Sequence, residues 1–209
     1  MPDNTKLFYD LVAEKTADEW YDNDLLLKTI EDFMNYLPDK PKVLDLGCGP
    51  GHESMRLYHC GARVVGVDFS SESIKIAKER CPQCNFKELD FRNLNHNIGK
   101  FDGVFANAFF IHIAPEEMNN ILNRVNNVLK DNTYMLITLI EGEGIHEEWS
   151  NMTVAGKKLK RTVYCYKKES IINKAKSYSF EYINEGFLDD TLLEYGWRAY
   201  IFKKSEQIS

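Results

Sequence analysis

Two carboxylates and three glycines are spaced to hold a small polar ligand. Asp45 stands two residues before Gly47, and glycine recurs at every second position of Gly47-Cys48-Gly49-Pro50-Gly51. Glycine lets a backbone turn sharply and lets a ligand approach the main chain closely. A helix starting after such a loop aims free N–H groups and a positive dipole end at the same space. Asp68 follows the apolar run Arg63-Val64-Val65-Gly66-Val67. A carboxylate at the end of a second strand can accept both hydroxyls of a ribose. The loop departs from the dinucleotide spacing G-x-G-x-x-G. Asp45 can help position an ammonium but would be unhelpful beside a pyrophosphate. A ligand with an amino-acid tail, a ribose and a base suits these residues better than a dinucleotide.

The elements that must position these groups follow from hydrophobic periodicity. Residues 17–37 read as one helix, ended by Pro38 and Pro41. Residues 42–46 read as a buried strand, followed by the glycine loop and a helix to about residue 60. Residues 63–67 form a second strand. Ser70 or Ser71 caps the next helix, with Glu72 in its first turn and its end near Cys81-Pro82. Residues 86–89 and 101–108 are short strands. Pro115 starts an amphipathic helix whose stripe holds Met118, Ile121, Leu122, Val125, Val128 and Leu129. Residues 134–140 are a fifth strand. This alternation implies a parallel sheet with helices on both faces. The polar stretch 141–160 reads as a loop or lid, and 169–176 as a short helix. Strands at 178–187 and 195–203 are close in sequence and should pair antiparallel.

The 209 residues suit a single domain, 1–209, with 44% hydrophobic residues to build its core. The formal net charge of −6, from 26 basic and 32 acidic residues, argues against a duplex nucleic-acid partner. No apolar run is long enough for a membrane span, and the N-terminus lacks the layout of a signal peptide. Five cysteines without such a signal point to reduced thiols and a cytoplasmic location. Cys81 and Cys84 form a lone C-x-x-C with no second pair and no following histidine pair, so no metal site is expected. The basic run at 157–161 reads as a solvated face.

These residues resemble the class I S-adenosylmethionine-dependent methyltransferases. Val43-Leu44-Asp45-Leu46-Gly47-Cys48-Gly49-Pro50-Gly51 is similar to that family's first motif, and Val65-Gly66-Val67-Asp68-Phe69-Ser70 to its second. Leu89-Asp90-Phe91 stands where the family places an acidic residue beside adenine. Phe101-Asp102-Gly103-Val104-Phe105-Ala106-Asn107 resembles the fourth-strand motif. More weakly, segments 141–144, 161–166 and 197–201 resemble small bacterial-type members. His52 departs from the small hydroxyl residue common there. The resemblance implies an α/β, Rossmann-like three-layer sandwich: a seven-stranded, mostly parallel sheet with an antiparallel last strand. Residues 1–40 would form a helical cap, and 141–168 a loop or lid over the acceptor pocket.

The resemblance also implies residue roles. Asp45, Gly47, Cys48, Gly49 and Gly51 would surround the methionine part of the cofactor. Asp68 would hold the ribose and Phe69 pack on adenine, with Asp90 and the Phe91 N–H at its edge. The Asn107 backbone would lie near the sulfonium, and Tyr9, Trp20 and Tyr21 would close over the cofactor. The expected reaction is in-line transfer of a methyl group to a small molecule, leaving S-adenosylhomocysteine. Orientation and desolvation supply much of such a rate, so no nucleophile is required. A base is needed only for an acceptor that loses a proton. His112, Tyr164 and Tyr166 are the catalytic candidates. Phe109, Phe110, His146 and Trp149 are further acceptor-pocket candidates. The alternatives are a non-catalytic binder of the same cofactor and an NAD-dependent oxidoreductase, which would need a second domain.

Overall fold

The computed structural model describes residues 3–146, 151–154 and 156–206. Among the described residues, the strands are β1 (Lys42–Leu46), β2 (Arg63–Asp68), β3 (Asn85–Glu88), β4 (Phe101–Ala106), β5 (Leu129–Glu141), β6 (Gly144–Ile145), β7 (Asn151–Val154), β8 (Lys157–Lys160), β9 (Tyr164–Tyr166), β10 (Phe180–Glu185) and β11 (Trp197–Lys204). The helices are α1 (Asp3–Trp20), α2 (Leu27–Met34), α3 (His52–His59), α4 (Ser71–Arg80), α5 (Met118–Val128), α6 (Lys168–Lys176) and α7 (Asp190–Glu194).

Seven strands make the main path of the sheet, in the order β10-β11-β5-β4-β1-β2-β3. All pairs are parallel except those of β11, which runs antiparallel to both neighbours. The sheet is therefore mostly parallel, with its last strand inserted antiparallel as expected. Alternation along each strand builds two cores. Leu44, Val65, Val104, Ile137 and Phe202 face one layer, which α5 and α6 cover through Ile121, Val125, Ile171 and Ala175. Val43, Val64, Phe105, Leu136 and Ile201 face the other, covered by Ile30 and Phe33 of α2. From β1 the chain runs outward through β2 and β3, then returns to β4 on the other side. The crevice at the carboxyl ends of β1 and β4 is thus a topological switch point.

Three local expectations are corrected. The helix expected over 17–37 is two helices broken at residues 21–26. Asn23 Oδ1 accepts the Leu25 N–H at 2.9 Å, the local bond by which Asn and Asp compete with helix backbone. Pro115 does not start α5; residues 115–117 form a turn, with the Glu117 N–H bonded to the Ala114 carbonyl at 2.8 Å. The stretch expected to be a loop carries strands. β9 pairs with the end of β5, Ile140 opposite Cys165, and β7 with β8 form a separate hairpin whose second strand packs on α1. Polar composition hid these strands because they are short and mostly edge-exposed.

Candidate functional site

The first βα turn is built as the spacing demands. Gly47, Gly49 and Gly51 all hold positive φ. The Gly47 and Cys48 N–H groups both donate to the Val67 carbonyl, at 2.8 and 3.1 Å, tying the loop to β2. A Cβ at Gly47, at φ +78°, would stand 2.8 Å from the Phe109 ring. One at Gly51, at φ +92°, would stand 2.9 Å from the Ala77 side chain. Gly51, the third glycine, thus serves α3–α4 packing and the start of α3, and does not line the cavity that Gly47 and Gly49 border.

That cavity encloses about 520 Å³ at the carboxyl ends of β1, β2 and β4, roofed by α1. Asp45, Gly47, Cys48, Gly49, Asp68, Phe69, Asp90, Phe91, Asn107, Tyr9, Trp20, Phe109 and His112 all line it. Tyr164, Tyr166, Phe110, His146 and Tyr21 do not. Tyr166 is buried and its hydroxyl donates to the Ile113 carbonyl, while Tyr164 packs against the core. Phe110 lies inside the core. The His146 N–H bonds the Val163 carbonyl at 2.8 Å, and Tyr21 donates to the Pro50 carbonyl at 2.9 Å, bracing the glycine loop from outside. Trp149 lies outside the described residues.

The carboxylates of the site are held by donors; Asp45 is buried, and Asp68 and Asp90 are half-buried. Ser54 donates to Asp45 at 2.6 Å, yet burial pushes the Asp45 pKa up to about 7. Asp68 accepts from Gly49 N–H at 3.0 Å and from Ser70 N–H at 2.8 Å, and burial still raises it to about 6. Asp90 caps a 3₁₀ turn and shares its carboxylate with Arg92 at 3.0 Å. His52 stacks on Trp20 with ring centroids 6.0 Å apart. Burial drives His52 down to about 3, so it is neutral, and among the described residues its Nδ1 has no hydrogen-bond partner.

Sequence reasoning missed Thr138 and Arg161, which also border the cavity. Thr138 Oγ1 accepts the Ala108 N–H at 2.8 Å and donates to Asn107 Oδ1 at 2.6 Å. It thereby holds the bend after β4, where Ala108 sits at φ +52°. Arg161 belongs to the basic run read as a solvated face. Lys158 and Lys160 are exposed, but Arg161 turns inward, its guanidinium 4.3 Å from the Phe8 ring. Neither residue carries a motif that could have marked it.

Cys81 and Cys84 meet at 3.4 Å in a side cluster with Ile74, Ala77 and Phe86. Among the described residues, no group of three or more His, Cys, Asp or Glu is placed to hold a metal ion. Nor is any described helix long and apolar enough to cross a membrane.

Comparison with known proteins agrees with this geometry. Residues 43–132 match the family described as a methyltransferase domain. A Synechocystis protein named an uncharacterized methyltransferase is 35% identical over 89 residues, 43% of this chain and 42% of that one. Trans-aconitate 2-methyltransferase of Escherichia fergusonii is 43% identical over 68 residues, 32% of this chain and 27% of the other. The chain thus matches less than half the length of these curated relatives. Among solved structures, the Burkholderia thailandensis 1,6-didemethyltoxoflavin-N1-methyltransferase superposes with a TM-score of 0.74 at 17% identity, over 97% of this chain and 88% of that one. The glycine loop, the carboxylate ending β2 and the inserted antiparallel strand agree with these likenesses: residues 43–132 match a methyltransferase domain, and the chain has the fold of the class I S-adenosylmethionine-dependent methyltransferases.

Proposed function

We propose that this protein transfers a methyl group from S-adenosylmethionine to a small-molecule acceptor. The observation that carries the reading is one continuous cavity. It joins two loop carboxylates to an aromatic and aliphatic end. The residues fit the cofactor. Asp45 faces the place for an ammonium. The unpartnered Nδ1 of His52, protonated in that tautomer, can donate to the carboxylate of the same amino-acid tail. Asp68 keeps lone pairs for two ribose hydroxyls after serving Gly49 and Ser70. Phe69 offers a face for adenine, and Asp90 with the Phe91 N–H marks its polar edge. The Asn107 backbone borders the reacting centre, held there by Thr138.

Bound there, S-adenosylmethionine supplies a methyl group on a sulfonium, displaced in line by the acceptor. The chain's own contribution is to orient the two partners and exclude water. α1 roofs the cavity as the cap of that reading, and the hairpin β7–β8 packs against α1. A small-molecule acceptor suits this reading because the proposed reacting centre lies in a cavity roofed by α1. Among the curated relatives is the ubiquinone biosynthesis O-methyltransferase of Rattus norvegicus, 35% identical over 136 residues.

Calorimetry with S-adenosylmethionine, S-adenosylhomocysteine and NAD tests the reading. Micromolar binding of the first two, weakened strongly by Asp68→Ala, is expected. Binding of NAD alone overturns it.

A further inference from the structure

Three polar side chains meet in the cavity wall in an ordered array. His112 Nδ1 lies 3.1 Å from the Thr162 carbonyl oxygen. That oxygen can only accept, so Nδ1 carries the proton and Nε2 is the acceptor. The Tyr9 hydroxyl, 2.5 Å from Nε2, therefore donates to His112. Arg161 Nη1 donates to the same Tyr9 oxygen at 2.8 Å. A hydroxyl oxygen has two lone pairs. Arg161 uses one, and the other can accept a bond from a molecule in the cavity, which all three residues line. His112 is buried and its pKa is pushed down to about 4, so the resting ring is neutral and Nε2 is open as an acceptor before the reaction.

This array selects among acceptors. A carboxylate or a tertiary amine offers no proton to Tyr9. An ammonium would meet the Arg161 guanidinium. A hydroxyl satisfies both, donating to Tyr9 as its oxygen gathers charge near a cation. Much of the remaining cavity wall is apolar, including Phe8, Leu26, Phe109, Leu188, Leu192 and Trp197.

Resting on the methyl-transfer reading, we propose that the acceptor is a hydroxyl on an apolar body, and that Tyr9 takes its proton with His112 behind it. As the hydroxyl oxygen bonds to the methyl carbon, the carbon–sulfur pair stays on sulfur. The hydroxyl proton passes to Tyr9 Oη, and Tyr9's own proton passes to His112 Nε2. Tyr9 is the catalytic residue. His112 is a positioning residue and proton sink that acts through it.

The test uses 4-nitrophenol and its methyl ether 4-nitroanisole at pH ~5.5, where the phenol keeps the proton that it offers to Tyr9 and the ether carries a methyl group in its place. S-adenosylhomocysteine binding is measured first for every variant, and its failure counts against the methyl-transfer reading alone. Both probes are then titrated into protein saturated with S-adenosylhomocysteine. Wild type is expected to prefer the phenol about tenfold. Tyr9→Phe, which keeps the ring against Phe8 and Phe69, should abolish the preference. No preference in wild type, binding of neither probe, or a preference retained by Tyr9→Phe overturns the proposal. Turnover of 4-nitrophenol with S-adenosylmethionine then reads the proton step. His112→Phe should lower kcat about 100-fold with S-adenosylhomocysteine binding kept, the split expected of a lost proton sink. Absence of turnover in wild type, or an unchanged kcat in His112→Phe, overturns the proton-transfer half.

Discussion

The Asp68 carboxylate, at the end of β2, accepts the backbone N–H of Gly49 at 3.0 Å. One side chain therefore fixes the glycine loop to the neighbouring strand. Its other oxygen accepts the Ser70 N–H at 2.8 Å, at the entry to α4. Asp68→Ala is expected to leave both donors unmatched and to remove the ribose contact together. Loss of S-adenosylhomocysteine affinity by about 100-fold, with about 2 kcal/mol less stability, is the expected result in calorimetry and denaturant unfolding. Unchanged affinity would show that the ribose lies elsewhere.

Asp45 links stability to pH with a definite sign. Its native pKa is raised from 3.8 to about 7. Between these values the folded protein holds a proton that the unfolded chain has released. The stabilisation is complete below pH ~4 and is lost as pH rises toward 7. Asp45→Asn keeps an oxygen for Ser54 and removes this loss. The variant should exceed wild type by about 2 kcal/mol at pH 8, with the gap closed near pH 4. Thermal unfolding at the two pH values checks it. The same variant should bind S-adenosylmethionine more weakly at pH 8, because the ammonium loses its counter-charge.

Thr138→Val isolates the bend after β4. Valine matches threonine in shape but neither accepts from Ala108 nor donates to Asn107. An unpaired N–H at a strained φ is expected to cost about 1–3 kcal/mol. Turnover should fall more than cofactor affinity if the Asn107 backbone borders the reacting centre, as proposed above. Wild-type kcat in this variant would sink the positioning role.

Arg56 of α3 ties down the roof of the site. Its guanidinium donates to the carbonyls of Trp20 at 2.6 Å, Tyr21 at 3.2 Å and Asn23, and it pairs with Glu53 at 3.5 Å. Both charged residues are buried. Arg56→Ala leaves the end of α1 uncapped and Glu53 without its cation, at a cost of about 3–5 kcal/mol. Limited proteolysis should then cut faster between residues 20 and 26 than in wild type. An unaltered cleavage pattern would mean that other contacts hold α1.

By itself the sequence determined the parts whose cause is local. The glycine loop, the five parallel strands before residue 141 and the Ser70 cap are encoded by near neighbours: positive-φ positions, short apolar runs, and a hydroxyl three residues before the N–H it accepts. Asp45 and Asp68 were legible because each ends or nearly ends such a strand. The break at 21–26 was partly hidden, since the carbonyls it frees are satisfied by Arg56, more than thirty residues away. Only the tertiary structure decided what the cavity does beyond the cofactor. Tyr9 and His112 are 103 residues apart, and Arg161 is 152 residues from Tyr9. Their contact depends on β8 packing against α1 and on β4 delivering its 3₁₀ turn beneath both. No spacing along the chain records that meeting, because hydrogen bonds between distant elements are set by sheet order and by which faces must be buried.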